Sequence, residues 1–136
     1  MEAYGDVVSA ILKIMQGVDR RDRALFADGW TRDVDFEVTF FAGEPVRVSG
    51  RDQLVARFTA DWTGEPSALR HQVGAVSVEM HGPGEAHARF YCTYYLTGAA
   101  VSLAGMGEYE DVVVREDDGR WRVRRRRHRF LTPLAH

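Results

Sequence analysis

The stretch ALRHQVGAVSV at positions 68–78 sets one titratable ring, His71, among Leu69, Val73, Val76 and Val78, which read as a buried strand. An imidazole on such a face has two uses. It packs with its nitrogens hydrogen-bonded locally, or it acts as a general base beside a carboxylate that accepts the Nδ1 proton and leaves Nε2 free. Spacing alone leaves both open. The segment GVDRRD at 17–22 supplies carboxylates. Asp22 stands where a second helix would be N-capped, whereas Asp19 is either a helix-end partner of Arg20 or Arg23 or a free acid. Further on, AHARFYCTYYL alternates, so Ala86, Ala88, Phe90, Cys92 and Tyr94 share one face and His87, Arg89, Tyr91, Thr93 and Tyr95 the other. The first set suits a concave interior, making Tyr94 a hydrogen-bonding candidate and Phe90 a wall. Trp30, Phe36, Phe40, Phe58, Trp62 and Met106 are the remaining apolar candidates for a cavity lining. Cys92 has no activating neighbour and reads as packing. His81, His87, His128 and His136 show no metal-ligand spacing, so no metal is expected.

The chain has 136 residues, 45% hydrophobic and 28% charged, with a net charge of −2. These values predict a single soluble domain over 1–136 with no general attraction to nucleic acid or an anionic membrane. A lone cysteine cannot form an intramolecular disulfide, which fits a reducing, cytoplasmic setting. The opening MEAYGDVVSAILKIM lacks a basic leader and carries Lys13 in its apolar run, so neither a signal peptide nor a membrane span is expected. The basic run RVRRRRHR at 122–129 alternates along a strand and forms no single basic stripe. A turn at DDGR would set Glu110 and Asp111 opposite Arg127 and Arg126, as ion pairs contributing a few tenths of a kcal/mol each.

The elements that must position these groups follow from periodicity. Tyr4, Val7, Val8, Ile11, Leu12 and Met15 repeat at helical spacing. DRRDRALFADGW predicts a short second helix with Leu25 and Phe26 inward and Gly29 ending it. DVDFEVTFF alternates as a strand, and AGEPV turns it into VRVS. Ser49 and Asp52 have the spacing of a capping box, opening a third helix with Leu54, Val55, Phe58 and Trp62. Strands are then expected at about 69–80, 86–97, 102–115 and 121–130. Helices first and an antiparallel meander afterwards predict an α+β fold, the helices on one face of a curved sheet.

Taken together, GVDRRD, SGRDQL, LRHQVGA and GRWRV occur in an order that resembles the SnoaL-like branch of the nuclear transport factor 2-like superfamily. Within it the motifs are closest to scytalone dehydratase and hexachlorocyclohexane dehydrochlorinase; FLTPLA resembles the latter's tail. The resemblance implies a cone-shaped α+β barrel with an apolar pocket, in which Asp19 reaches His71. It also implies a cofactor-independent lyase or isomerase acting on a small hydrophobic substrate, and a homodimer or homotrimer. A polyketide cyclase-type aldol enzyme and a non-catalytic, oxygenase small-subunit-like binder are the other activities it admits. Two positions depart from the relatives: Val18 stands where the dehydratase has Tyr, and Ile14 where the dehydrochlorinase has a basic residue. The group assisting a leaving atom or enolate is thus not identified by motif.

Overall fold

The structure is a computed structural model describing residues 2–135; Met1 and His136 lie outside it. Three helices precede most of the sheet: α1 (Glu2–Arg20), α2 (Arg23–Asp28) and α3 (Arg51–Thr59). The strands are β1 (Trp30–Thr39), β2 (Pro45–Ser49), β3 (Leu69–Val73), β4 (Ser77–Met80), β5 (Glu85–Leu96), β6 (Ser102–Arg115) and β7 (Trp121–Phe130). They form a mixed sheet in the order β2-β1-β7-β6-β5-β3, with β4 also on β5; β1 and β7 are parallel and the other pairs among the described residues antiparallel. Register shifts at Trp30/Asp35, Tyr94/Tyr95 and Val112/Val113 bend it around the helices.

Helix α1 buries Val7, Ala10, Ile11, Ile14 and Met15. Tyr4 and Leu12, expected on that face, are exposed, and the Tyr4 hydroxyl donates to the Val76 carbonyl. The helix stops because Arg21 takes a left-handed φ of 56°, after which the Asp22 N–H bonds back to the Gly17 carbonyl. Asp22 caps α2 by accepting from the Leu25 N–H at 3.0 Å, and Gly29 closes it. The proposed capping box is absent: α3 starts after Gly50 with no side-chain cap, and Trp62 lies beyond its end. The expected 69–80 strand is two strands on the same partner: the Gly74 N–H still bonds the Tyr91 carbonyl of β5 in the β3 register, and one extra residue before Ser77, which faces Arg89, breaks the ladder. No helix among the described residues is long and apolar enough to cross a membrane.

Candidate active site

Two elements meet at His71. β3 is a sheet edge, pairing only with β5, so its outward N–H groups need other partners. Ser67 Oγ accepts from Leu69, and Asp19, in the last turn of α1, accepts from His71. Asp19 Oδ2 accepts the His71 backbone N–H at 3.1 Å, and its Oδ1 lies 2.6 Å from His71 Nδ1. A carboxylate only accepts, so Nδ1 carries a proton, and in the tautomer this fixes the lone pair is on Nε2. That nitrogen has no protein partner among the described residues. Both side chains are nearly buried, 12% exposed each.

His71 lines a cavity of about 300 Å³, at the lower end of the size range of small-molecule sites. Ile14, Met15 and Val18 of α1 form one wall, with Phe26, Trp30, Phe36 and Phe58 forming another. Phe40 and Phe130 stack at 5.2 Å at its margin, with Phe40 half-exposed just past the end of β1. A wider trough of about 630 Å³ on the sheet mixes charged residues such as Glu37, Arg89, Glu110 and Arg127 with Phe90, Tyr91 and Tyr109, and holds neither Asp19 nor His71.

Of the residues expected at the site, His71, Trp30, Phe36, Phe40 and Phe58 line the cavity. Four others do not, among them Trp62, whose ring packs edge-on against Phe26 at 6.0 Å. Phe90 stacks on Tyr109 at 4.9 Å within the core, and Met106 is exposed, its backbone tied to Thr132. Tyr94 is fully buried behind the wall. Its hydroxyl lies 2.7 Å from His128 Nε2 and 2.9 Å from the Tyr109 hydroxyl. Burial raises the pKa of both phenols, so they remain protonated and able to donate. Cys92, pushed up to about 12 by burial, stays an unreactive thiol.

The cavity also contains polar groups that alternation did not identify. His128 and Arg126 of β7 and Tyr109 of β6 line it. Burial, then the Arg126 charge, holds His128 well below its ordinary value, so its ring is neutral. Arg126 makes a two-point ion pair with Asp111, both bonds 2.8 Å, and lies 5.0 Å over the Trp30 ring. Burial opposes its charge, but Asp111 overcomes this and holds the guanidinium above its ordinary value. Trp30 is wholly buried and its indole N–H has no partner among the described residues. An unsatisfied buried donor is uncommon, and this one is covered against water, so an acceptor on a ligand would reach it only with a shift of the wall.

A base on one wall, a buried cation and an orphan donor around an apolar space can move a proton at carbon and hold the oxygen that gains charge. The arrangement of helices inside a curved mixed sheet is the cystatin-like, NTF2-like fold. Residues 1–127 match the SnoaL-like domain, and the chain belongs to that family. Solved structures agree at the level of fold. ActVI-ORFA from Streptomyces coelicolor is 23% identical, with 95% of this chain and 98% of that one covered and a TM-score of 0.76. A Catenulispora acidiphila protein in complex with S-DNPA is 22% identical over 95% and 93% of the two chains, TM-score 0.75. A protein from Novosphingobium aromaticivorans, provisionally described as a scytalone dehydratase, is 17% identical over 96% and 85%, TM-score 0.74. No curated protein matches the chain in sequence.

Proposed function

We propose that this protein is a cofactor-independent lyase or isomerase for a small, mostly apolar molecule with an acidic C–H, and that His71 is its general base. The observation that carries the reading is the Asp19–His71 pair at the wall of an apolar cavity, with Nε2 unpartnered. Nε2 takes the carbon-bound proton, and Asp19 stabilises the imidazolium that forms. The C–H electron pair moves toward an adjacent carbonyl, whose oxygen is held by the Arg126 charge and, once the wall shifts, by the Trp30 N–H. Elimination follows when a neighbouring carbon bears hydroxide or halide as leaving group. A leaving hydroxide takes up the proton that the His71 imidazolium then carries; His128, kept neutral and hydrogen-bonded through Tyr94 to Tyr109, can only orient the departing group. Without a leaving group, return of the proton at another carbon migrates the double bond. Aldol closure, as in polyketide cyclases, would begin with the same proton removal.

The test is proton exchange. Small cyclic ketones with and without a β-hydroxyl, incubated with the protein in D₂O, are expected to gain deuterium at the acidic carbon, and the β-hydroxy members to lose water. His71→Ala is expected to slow this by about 10²–10⁴-fold. A variant within a few-fold of wild type removes His71 from the role. Ligand binding without exchange in any member of the panel would instead favour a non-catalytic pocket.

A further inference from the structure

On the outer face of the β4–β5 hairpin, the sequence EMHGPGEAH (79–87) brings four ligand-type side chains together. Glu79 stands directly opposite His87 in the ladder. Two pairs further along, the His81 N–H donates to the Glu85 carbonyl at 2.8 Å, closing the turn. Side chains two apart on a strand share a face, so the four form a square with the histidines on one diagonal and the carboxylates on the other. The imidazoles of His81 and His87 stack at 3.8 Å, 14° from parallel.

We propose that this hairpin is a binding site for a borderline divalent cation of the zinc class, with His81, Glu85 and His87 as ligands and Glu79 beside them. One ligand atom from each of the three lies within 4.8 Å of the other two. His87 Nε2 is 3.1 Å from Glu85 Oε2, and His81 Nε2 is 3.3 Å from Glu79 Oε1. The His87–Glu85 spacing is close to the edge of a tetrahedron about an ion with bonds of 2.0–2.1 Å, about 3.3 Å, and a rotation of the stacked, partly exposed rings brings both imidazole lone pairs onto one ion. Two imidazoles with a carboxylate favour zinc, nickel or copper over calcium or magnesium. Arg124 donates to Glu85 Oε1 at 2.8 Å and leaves Oε2 on the His87 side, the outer hydrogen bond that orients a ligating carboxylate. The ligands are at least partly exposed, so an ion can enter from solvent. Seven residues separate His87 from Tyr94, the β3 partner of His71, roughly 20 Å along β5. The hairpin is thus separate from the cavity.

The experiment is zinc titration of tag-free, metal-stripped protein by calorimetry and by competition with a chromophoric chelator. Wild type is expected to take up one Zn²⁺ per chain. The His81→Ala/His87→Ala variant, its fold checked by circular dichroism, is expected to bind at least about tenfold more weakly. Glu85→Gln, which keeps size and removes charge, is expected to weaken binding in the same direction, and His71→Ala to leave it unchanged. No uptake by wild type at 100-fold excess zinc, equal affinity in the double variant, or loss of binding with His71→Ala would each overturn the assignment.

Discussion

The last turn of a helix carries unpaired carbonyls and the negative end of the macrodipole, so a carboxylate there is disfavoured by about 0.3–1 kcal/mol. Asp19 occupies that position and offsets the cost only through the two N–H groups of His71. Asp19→Asn relieves the dipole repulsion and keeps one acceptor, but no longer fixes which imidazole nitrogen holds the proton. Urea unfolding is therefore expected to shift by less than about 1 kcal/mol, while turnover drops by about 10²–10⁴-fold. A variant that unfolds easily and retains turnover would make Asp19 a structural residue. His128 makes a separate, pH-dependent contribution. Burial and Arg126 depress its folded-state value well below the ordinary 6.5, so the unfolded chain binds a proton that the folded chain refuses. Stability is then full above about pH 6.5 and falls on acidification, by at most about 1.4 kcal/mol per pH unit, until the folded-state value is reached. Comparing unfolding at pH 7.5 and 5.5, His128→Gln is expected to lose acid sensitivity relative to wild type; an identical fall in both proteins would refute the assignment.

Strand β6 leaves a space for the hydroxyl that joins Tyr94 to His128. A Cβ at Gly107 would sit 2.1 Å from Tyr94 Oη and 3.0 Å from His128 Nε2, a close approach that only glycine allows in this strand. Alanine normally suits a strand better than glycine, but here the clash decides the sign. Gly107→Ala is expected to cost roughly 1–3 kcal/mol and to push Tyr94 off His128, lowering turnover. An unchanged melting temperature with full turnover would show that Tyr94 is not held there. Strand β7 illustrates how far such placements can be read in advance. The DDGR turn made its register legible: Glu110 faces Arg127 and Asp111 faces Arg126. Which face each side chain takes was not legible. Val112 pairs with Arg125 but Val113 with Val123, so Arg124 is an extra residue that reverses the phase. Alternation counted from Val123 turns Arg126 and His128 outward; the bulge turns them, with Phe130, toward the cavity. Likewise the period-2 pattern around His71 was visible, but its contact with Asp19, 52 residues away, depends on α1 crossing the β3 edge, which no local spacing encodes.

Across the whole molecule, the arginines of 122–129 show how one residue type takes different energies from its surroundings. Arg127 reaches β1, pairing with Asp35 and Glu37, and Arg122 joins Asp28, Glu116 and Asp118. These pairs lie wholly or partly at the surface and are screened, so each contributes little. Arg126 and Asp111 face each other across the same two strands, yet both are buried, 3% and 2% exposed, between Trp30 and Tyr109. Desolvating two charges cancels much of their attraction, so the pair adds little net stability, while either partner alone is costly. For stability alone two apolar side chains would do as well, so the cation at this cavity's wall is a candidate for a role in binding. Asp111→Asn, which leaves Arg126 short of its counter-charge, is expected to lose about 3–5 kcal/mol in urea unfolding. Asp111→Leu combined with Arg126→Met restores an apolar match and is expected to recover most of that loss. The double variant should nonetheless fail in the D₂O exchange assay, because the buried guanidinium beside the oxygen that becomes negative is then gone and the remaining lining charge, Arg57, is exposed to solvent. Full exchange by a stable double variant would reduce the pair to packing and leave the Trp30 N–H as the oxygen's partner.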